Sequence, residues 1–130
     1  MKVTTLCYLI YQEHILLLFR DQSPTDPNYH KWIGLGGKCH QQESIEACML
    51  REVQEETGLN LLTYSYRGIV YFESNVAPSE VMHLFTGTEF QGNLQPCKEG
   101  TLSWIPISKI SELSMWEGDR HFLSLIQQNT

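Results

Sequence analysis

The sequence is short of positive charge. Nine Lys and Arg residues stand against 15 Asp and Glu residues in a chain of 130, which gives a formal net charge of −6 at pH 7. A protein that grips a nucleic-acid backbone needs clustered Lys and Arg, so we expect no polymeric nucleic acid as a partner. A small anionic ligand stays compatible with this charge if a bound cation supplies the missing positive charge.

Cysteine is also scarce, and its spacing matches no common motif. The four cysteines, Cys7, Cys39, Cys48 and Cys97, include no Cys-x-x-Cys pair, which argues against a zinc knuckle or a redox motif. Four cysteines allow two disulfides, but a chain of 130 residues fills a core without them. We therefore expect free thiols and a cytoplasmic location.

Long apolar runs are missing. No run approaches the roughly 20 apolar residues that a membrane span requires. The apolar stretch 4–11 is short, Glu13 and His14 interrupt it, and no small-residue cleavage site follows, so it does not match a signal peptide. We expect a soluble protein without a membrane partner.

Apolar patterning predicts one α/β domain over residues 1–130. Hydrophobic residues make up 42% of the chain, enough for a single core. Runs rich in β-branched and aromatic residues predict strands at 4–11, 15–20, 61–72, 81–90 and 101–105. Helices are predicted at 44–57, ended by Gly58, and at 116–127. Because these elements do not alternate regularly, we expect a mixed sheet flanked by helices.

Residues 21–31 are predicted to form a loop. They contain Pro24, Pro27 and Asn28 and show no periodicity. Most connections are only a few residues long, so this length favours a functional role.

The predicted first helix carries an unusual concentration of acid. Five of the 15 acidic residues lie between positions 43 and 56: Glu43, Glu46, Glu52, Glu55 and Glu56. At about 100° per residue, the last three fall within an arc of roughly 100°. Like charges four residues apart, and acids in the last turn of a helix, are both unfavourable. Either this is a solvated charged face, or a divalent cation such as Mg²⁺ or Mn²⁺ binds there, with backbone carbonyls from the preceding glycine turn.

The residues from 37 to 59 resemble the Nudix box, G-x5-E-x7-R-E-U-x-E-E-x-G-U, where U is aliphatic. The matching residues are Gly37, Glu43, Arg51, Glu52, Val53, Glu55, Glu56, Gly58 and Leu59, which fill every fixed position. The segments Trp32-Ile33-Gly34-Leu35-Gly36-Gly37 and Trp116-Glu117-Gly118-Asp119 extend the resemblance to the MutT-type branch of the family, which cleanses oxidised purine nucleoside triphosphates.

The resemblance implies an α/β/α sandwich and a Mg²⁺-dependent hydrolase, with Mn²⁺ as a substitute metal. The implied metal ligands are Glu52, Glu55 and Glu56, the carbonyl of Gly36, and Glu99 from a loop outside the box. Glu43 and Arg51 are implied to orient the helix and its ligands. The general base is one of Glu52, Glu55 and Glu56, and the sequence does not select among them.

The resemblance also implies a set of substrate contacts. Arg20 would lie near the phosphates, Trp116 would stack on a purine, and Asp119 would bond the base edge that carries N–H groups. Tyr71 would form the opposite wall of the base site. Ile33 departs from the pattern, since some members selective for oxidised purines have a polar side chain at that position.

Three functions are compatible with these residues. The favoured one is a nucleoside triphosphate pyrophosphohydrolase that acts on oxidised purines such as 8-oxo-dGTP and releases monophosphate and pyrophosphate. The second is a Nudix hydrolase of ADP-ribose, a dinucleoside polyphosphate or a nucleotide sugar. The third is a non-catalytic nucleotide-binding domain, which the retained carboxylates disfavour. The expected partner is a small-molecule nucleotide, and the expected state is a monomer or homodimer.

Overall fold

The computed structural model describes residues 1–73, 75 and 78–128. In chain order the elements are β1 (Lys2–Tyr11), β2 (His14–Phe19), β3 (Trp32–Ile33), α1 (Ile45–Thr57), β4 (Asn60–Phe72), β5 (Glu80–Gln91), β6 (Thr101–Pro106), a 3-10 helix (Ile107–Glu112) and α2 (Glu117–Gln128). The structure thus contains every strand and helix that the sequence predicts, and it adds β3 and the 3-10 helix. No helix in the described part of the chain is long and apolar enough to cross a membrane.

The strands form one mixed sheet of six. The order along the sheet is β3-β2-β1-β5-β4, and β6 pairs with β2 beside this path. Among the described strands, β1 and β5 pair in parallel, with Leu6 opposite Leu84, while the other pairings are antiparallel. The expected mixed sheet flanked by helices is therefore confirmed.

The two helices cover opposite faces of the sheet. Because side chains alternate along a strand, Leu6 and Tyr8 of β1 pack with α2, whose buried residues are Phe122, Leu123 and Ile126. Cys7 and Leu9 face the other way and pack with Met49 and Val53 of α1. The sheet thus lies between two apolar clusters, one for each helix.

Helix α1 begins and ends at the residues that helix chemistry favours. The Ser44 side chain accepts a hydrogen bond from the Ala47 N–H at 3.0 Å and caps the first turn. Gly58 follows the last turn in the left-handed conformation, with φ of 80°. Both ends fix the register of the helix, and hence the direction in which its carboxylates point.

Candidate active site

A glycine turn is pressed between β1 and the end of α1. Gly36 has a φ of 151°, and a Cβ at this position would lie 1.9 Å from the Thr5 carbonyl oxygen. Its N–H donates to Oε1 of Glu56 at 2.7 Å. Only glycine lets the backbone approach both the strand and the carboxyl group this closely.

The next residue of the turn brings a second carboxyl group into the site. A Cβ at Gly37 would lie 2.7 Å from the carboxyl carbon of Glu52, so a larger residue would displace this carboxyl group. Glu55, one turn further round the helix, is 54% exposed. The turn and the last two turns of α1 therefore gather the box glutamates on one side of the molecule.

Arg51 connects the box residues to one another. Its Nε and Nη2 donate to the two carboxylate oxygens of Glu43, at 2.7 and 3.0 Å. Its Nη1 donates to Glu52 at 2.9 Å and to Glu55 at 3.2 Å, and Nη2 also reaches the Lys38 carbonyl oxygen at 3.2 Å. A planar guanidinium with five donors can hold all of these partners at once.

Arg51 changes the acidity of Glu43. Its hydrogen bonds, supported by the His40 N–H, lower the pKa of the Glu43 carboxyl to about 2. In return, Glu43 raises the pKa of the Arg51 guanidinium above its ordinary value. Both groups stay charged at neutral pH, so this ion pair connects the segment before α1 to the helix over the whole neutral range.

Glu56 is in the opposite electrostatic situation. It is only 7% exposed, and among the described residues no Lys or Arg forms an ion pair with it. Burial, together with the nearby carboxyl groups of Glu99 and Glu52, raises the pKa of Glu56 to about 9 against the opposing effect of the Gly36 hydrogen bond. Burial also raises the pKa of Glu52. Arg51 partly compensates the charge of Glu52, whereas the carboxyl group of Glu56 lacks a positively charged partner among the described residues.

Glu99 joins this group from a distant part of the chain. It stands just before β6, and its side chain, 50% exposed, lies close enough to Glu56 to share a hydrogen bond. Arg20 approaches it with Nη1 at 3.5 Å from Oε2. The structure therefore brings together the six residues that the resemblance placed at the metal and the phosphates, and we call this group the acidic cluster: Arg20, Gly36, Glu52, Glu55, Glu56 and Glu99.

The expectation of four free thiols is wrong for two of the cysteines. Cys39 and Cys48 form a disulfide, with their Cα atoms 5.3 Å apart, while Cys7 and Cys97 are free. The loop after Gly37 folds back over the first turns of α1, and this brings two cysteines nine positions apart into contact. A spacing of nine matches no standard motif, so the pairing carried no signal in the sequence.

A second feature, the aromatic cavity, lies on the α2 side of β1. Its volume is about 610 Å³. It is lined by Lys2, Leu6, Asn28, Ile33, Phe72, Glu80, Met82, Trp116, Glu117, Gly118, Asp119 and Phe122. Trp116 and Asp119 are thus brought together, as predicted. Ile33 lines the cavity three positions before Gly36 of the acidic cluster, so the two features adjoin.

The opposite wall differs from the prediction. Phe72 of β4 lines the cavity, whereas Tyr71 does not and is 52% exposed. Successive side chains of a strand point to opposite faces, so only one of the two can face the cavity. The sequence analysis also missed Lys2, Glu80 and Met82. Nothing in the sequence marks these strand residues, because they reach the cavity only through the pairing of β1 with β5.

Asp119 lies in the first turn of α2, half-buried at the edge of the cavity. Burial raises the pKa of its carboxyl to about 6. The group therefore ionises close to neutral pH, and its charge depends on what fills the cavity.

These features define a class of protein. A mixed sheet between two helices, with clustered carboxyl groups against a glycine turn and an adjoining aromatic cavity, is an α/β/α domain with one site suited to a divalent cation and a second suited to an aromatic ring. Comparison with known proteins makes this more specific, since the NUDIX domain family model matches residues 1–126.

Individual relatives agree. The chain is 28% identical over 129 residues to the uncharacterized Nudix hydrolase YvcI of Bacillus subtilis (strain 168), covering 95% of this chain and 78% of that protein. It is 34% identical over 100 residues to the oxidized purine nucleoside triphosphate hydrolase of Danio rerio, covering 75% of this chain and 64% of that protein. The chain thus spans slightly less than two thirds of the zebrafish relative.

A solved structure is similar as well. The MutT protein from Bacillus halodurans superposes with a TM-score of 0.79 at 29% identity, covering 95% of this chain and 80% of that one. This chain belongs to the Nudix family and is a Nudix hydrolase of the MutT type. Members of this family act on small nucleotide substrates and generally use a divalent metal.

Proposed function

We propose that this protein is a Mg²⁺-dependent nucleoside triphosphate pyrophosphohydrolase whose preferred substrates are oxidised purine triphosphates such as 8-oxo-dGTP. The observation that carries the proposal is the acidic cluster, uncompensated at Glu56, directly beside a cavity lined by Trp116 and Asp119. It would act as a monomer or homodimer in the cytoplasm, where removal of oxidised triphosphates keeps them out of DNA.

The acidic cluster fits a hard divalent cation. Glu52, Glu55, Glu56 and Glu99, with the Gly36 carbonyl beside them, offer the oxygen donors that Mg²⁺ and its substitute Mn²⁺ prefer. The raised pKa of the buried Glu56 carboxyl, about 9, supports this assignment, because a cation would supply the positive charge that the protein does not. A bound Mg²⁺ would neutralise phosphate charge, lower the pKa of a bound water and place that water for attack.

The protein's own residues would divide the remaining work. Arg51 and Glu43 hold the turn against α1 and so keep the glutamates in place. One of Glu52, Glu55 and Glu56 accepts the proton of the attacking water. Arg20, with its guanidinium 3.5 Å from Glu99, would bind a phosphate oxygen of the substrate at the edge of the cluster.

The aromatic cavity would select the base. Trp116 offers an indole surface for stacking, and such a contact is worth roughly 1–3 kcal/mol per base. Asp119 would accept a hydrogen bond from a base N–H. An 8-oxo purine carries an N–H on its five-membered ring where the unmodified purine has only an acceptor, so a carboxylate can tell them apart. Ile33 supplies no polar contact, so this discrimination would rest on Asp119.

The experiment is a product screen in Mg²⁺ and in Mn²⁺. The substrates are 8-oxo-dGTP, dGTP, dATP, ADP-ribose and a dinucleoside polyphosphate, with pyrophosphate, phosphate and monophosphate each measured. We expect release of pyrophosphate and monophosphate, with the highest rate from 8-oxo-dGTP, and no product in the presence of a chelator. Faster turnover of ADP-ribose or of the dinucleoside polyphosphate would move the protein to the second function. Binding of nucleotides without any turnover would move it to the third.

A further inference from the structure

Trp116 is exposed but firmly held. The side chain is 47% exposed, and a ring on an open surface usually samples several orientations. Here the indole Nε1–H donates to Oδ1 of Asn28 at 2.8 Å. The Lys31 ammonium lies 5.1 Å from the centre of the ring, within the range of a cation–π contact. An edge and a face of the indole are therefore fixed by residues of the 21–31 loop.

The loop itself is braced. The Asn28 N–H donates to Oδ1 of Asp26 at 3.0 Å, and the Lys31 N–H donates to the Asn28 carbonyl oxygen at 2.9 Å. Oδ2 of Asp26 pairs with Nε of Arg20 at 2.7 Å. Arg20 closes β2 and also meets Glu99, so the loop is anchored to the acidic cluster.

The backbone segment that precedes Trp116 is also held by hydrogen bonds. The Trp32 N–H donates to the Ser114 carbonyl oxygen at 2.9 Å. The Arg120 guanidinium donates to the carbonyl oxygens of Ser111, at 3.0 Å, and of Leu113. Trp116 thus lies between the 21–31 loop and the segment 111–114, both of which are held by hydrogen bonds. The Asn28 side chain connects the loop to Trp116 at the cavity.

We propose that Asn28 and Lys31 are positioning residues that hold Trp116 as a preformed stacking surface, so that the loop sets base affinity through the indole. This rests on the proposed function only in taking Trp116 as the surface on which the base stacks. A ring already fixed in its binding orientation loses less conformational freedom when the base arrives. The side-chain oxygen Oδ1 of Asn28 accepts the hydrogen bond from the indole, and Asn28 itself lines the cavity.

The test compares Asn28→Ala, Asn28→Asp and Trp116→Ala with the wild type. Loss of one hydrogen bond predicts a three- to tenfold rise in KM for a purine triphosphate in Asn28→Ala, with kcat within about twofold. Asn28→Asp keeps an acceptor oxygen for the indole and should restore KM. Lys31→Met should raise KM about two- to fivefold. Asn60→Ala and Lys109→Met, exposed residues outside the cavity lining, are matched controls that should change neither constant.

A double-mutant cycle separates positioning from direct contact. If Asn28 acts through the indole, the pair Asn28→Ala/Trp116→Ala should be no worse than Trp116→Ala alone. A further loss of the same size on the Trp116→Ala background would overturn the proposal. So would an unchanged KM in Asn28→Ala.

The two proposals fail differently. If the wild type releases no pyrophosphate from any triphosphate, the proposed function is wrong. The same variants are then compared by calorimetric binding of a purine nucleoside monophosphate, where Kd should follow the order expected for KM. Equal Kd values for the wild type and Asn28→Ala would reject the positioning role independently of turnover.

Discussion

The acidic cluster takes all of its residues except Arg20 and Glu99 from the continuous stretch 36–56, whereas the aromatic cavity is lined from β1, the 21–31 loop, β3, β4, β5 and α2. The cluster is also electrostatically incomplete. Glu56 is buried beside like charges. Among the described residues, the compensating ion pairs join Arg51 to Glu43, Glu52 and Glu55, and Arg20 to Glu99, but none reaches Glu56. The cavity has mainly apolar and aromatic walls.

This difference indicates which part of the site performs which task. A cluster whose charges balance only with a cation is suited to chemistry, and its geometry is set by a single helix and turn. A cavity assembled from many elements is suited to recognition, because each element can change without disturbing the helix. Substitutions at the two places should therefore separate turnover from base choice.

The largest expected effect is at Glu56. Glu56→Gln keeps the shape of the side chain but removes a metal-binding oxygen, so Mg²⁺-dependent turnover should fall by orders of magnitude. The melting temperature at pH 7 should be unchanged or higher, since the raised pKa of Glu56 means that folding at pH 7 requires this carboxyl group to take up a proton, whereas an amide requires none. Pyrophosphate release in the presence of Mg²⁺ measures the loss of turnover. Thermal melting in metal-free buffer measures the change in stability.

Glu46 provides the matched control for this variant. It lies in the first turn of the same helix and accepts a hydrogen bond from the Tyr64 hydroxyl, which the amide oxygen of Gln can also do. Glu46→Gln should retain wild-type turnover. Near-normal activity of Glu56→Gln would remove Glu56 from the metal site, and a large loss of its stability would give it a structural role instead.

The next effect is expected at Arg51. Arg51→Lys keeps the charge but cannot hold both Glu43 oxygens together with Glu52 and Glu55. Residues behind the metal ligands typically contribute 10- to 100-fold in metal affinity or activity, so the Mg²⁺ concentration for half-maximal activity should rise by about that factor. A metal titration of activity at saturating substrate measures it. An unchanged titration would mean that the ligands hold their positions without Arg51.

The contrast between the two features also explains what could be predicted from the sequence. The acidic cluster is a local pattern: fixed spacing on one helix places Glu52, Glu55 and Glu56 on one side, and the glycines mark the turn. The strands and helices were similarly accessible because their apolar periodicity extends over several residues. β3 has two residues and the 3-10 helix six, too few to show a period.

The cavity lining depends on strand phase and pairing, which the sequence does not contain. The pairing of β4 with β5 is irregular at three places, between Leu61/Thr63, Thr63/Tyr64 and Tyr66/Gly68. Each irregularity can shift the alternation of faces, so Phe72 rather than Tyr71 faces the cavity. The sequence places Asn28 in a predicted loop and gives it no further role, because its partner Trp116 is 88 positions away.

A smaller effect is expected from the Cys39–Cys48 disulfide. Closing a loop of nine residues stabilises the folded state by about 2.5 kcal/mol in the chain-entropy model. Reduction, or the double change Cys39→Ser/Cys48→Ala, should lower the melting temperature while Mg²⁺-dependent hydrolysis persists, since Glu43 and Arg51 still join the turn to α1. Melting with and without dithiothreitol tests this. Cys97→Ser is the control, since it leaves the disulfide intact and should show the same decrease in melting temperature on reduction as the wild type. A melting curve insensitive to reductant would contradict it.

The most selective change is expected at Asp119, on the cavity side of the comparison. Asp119→Asn exchanges an acceptor oxygen for a donor amide without a change of size, and Ile33 offers no other polar contact. The ratio of kcat/KM for 8-oxo-dGTP to that for dGTP should therefore fall towards one, with the Mg²⁺ requirement unchanged. An unaltered ratio would remove Asp119 from base selection.

The same variant has a stability signature that does not depend on any substrate. Burial raises the pKa of Asp119 to about 6 from the ordinary value of 3.8, so between these two pH values the folded protein binds a proton that the unfolded chain has already released. The contribution of this group is fully present below pH 3.8 and is lost as pH rises through 6, a difference of up to about 3 kcal/mol. Asp119→Asn stays neutral and removes this loss, so the variant should gain stability relative to the wild type between pH 4 and 7. Denaturant unfolding of both proteins across that range gives the difference. If the difference in unfolding free energy between the two proteins did not change with pH, the Asp119 carboxyl would be solvated rather than buried at the edge of the cavity. The pKa of Asp119 would then not be raised at the base site.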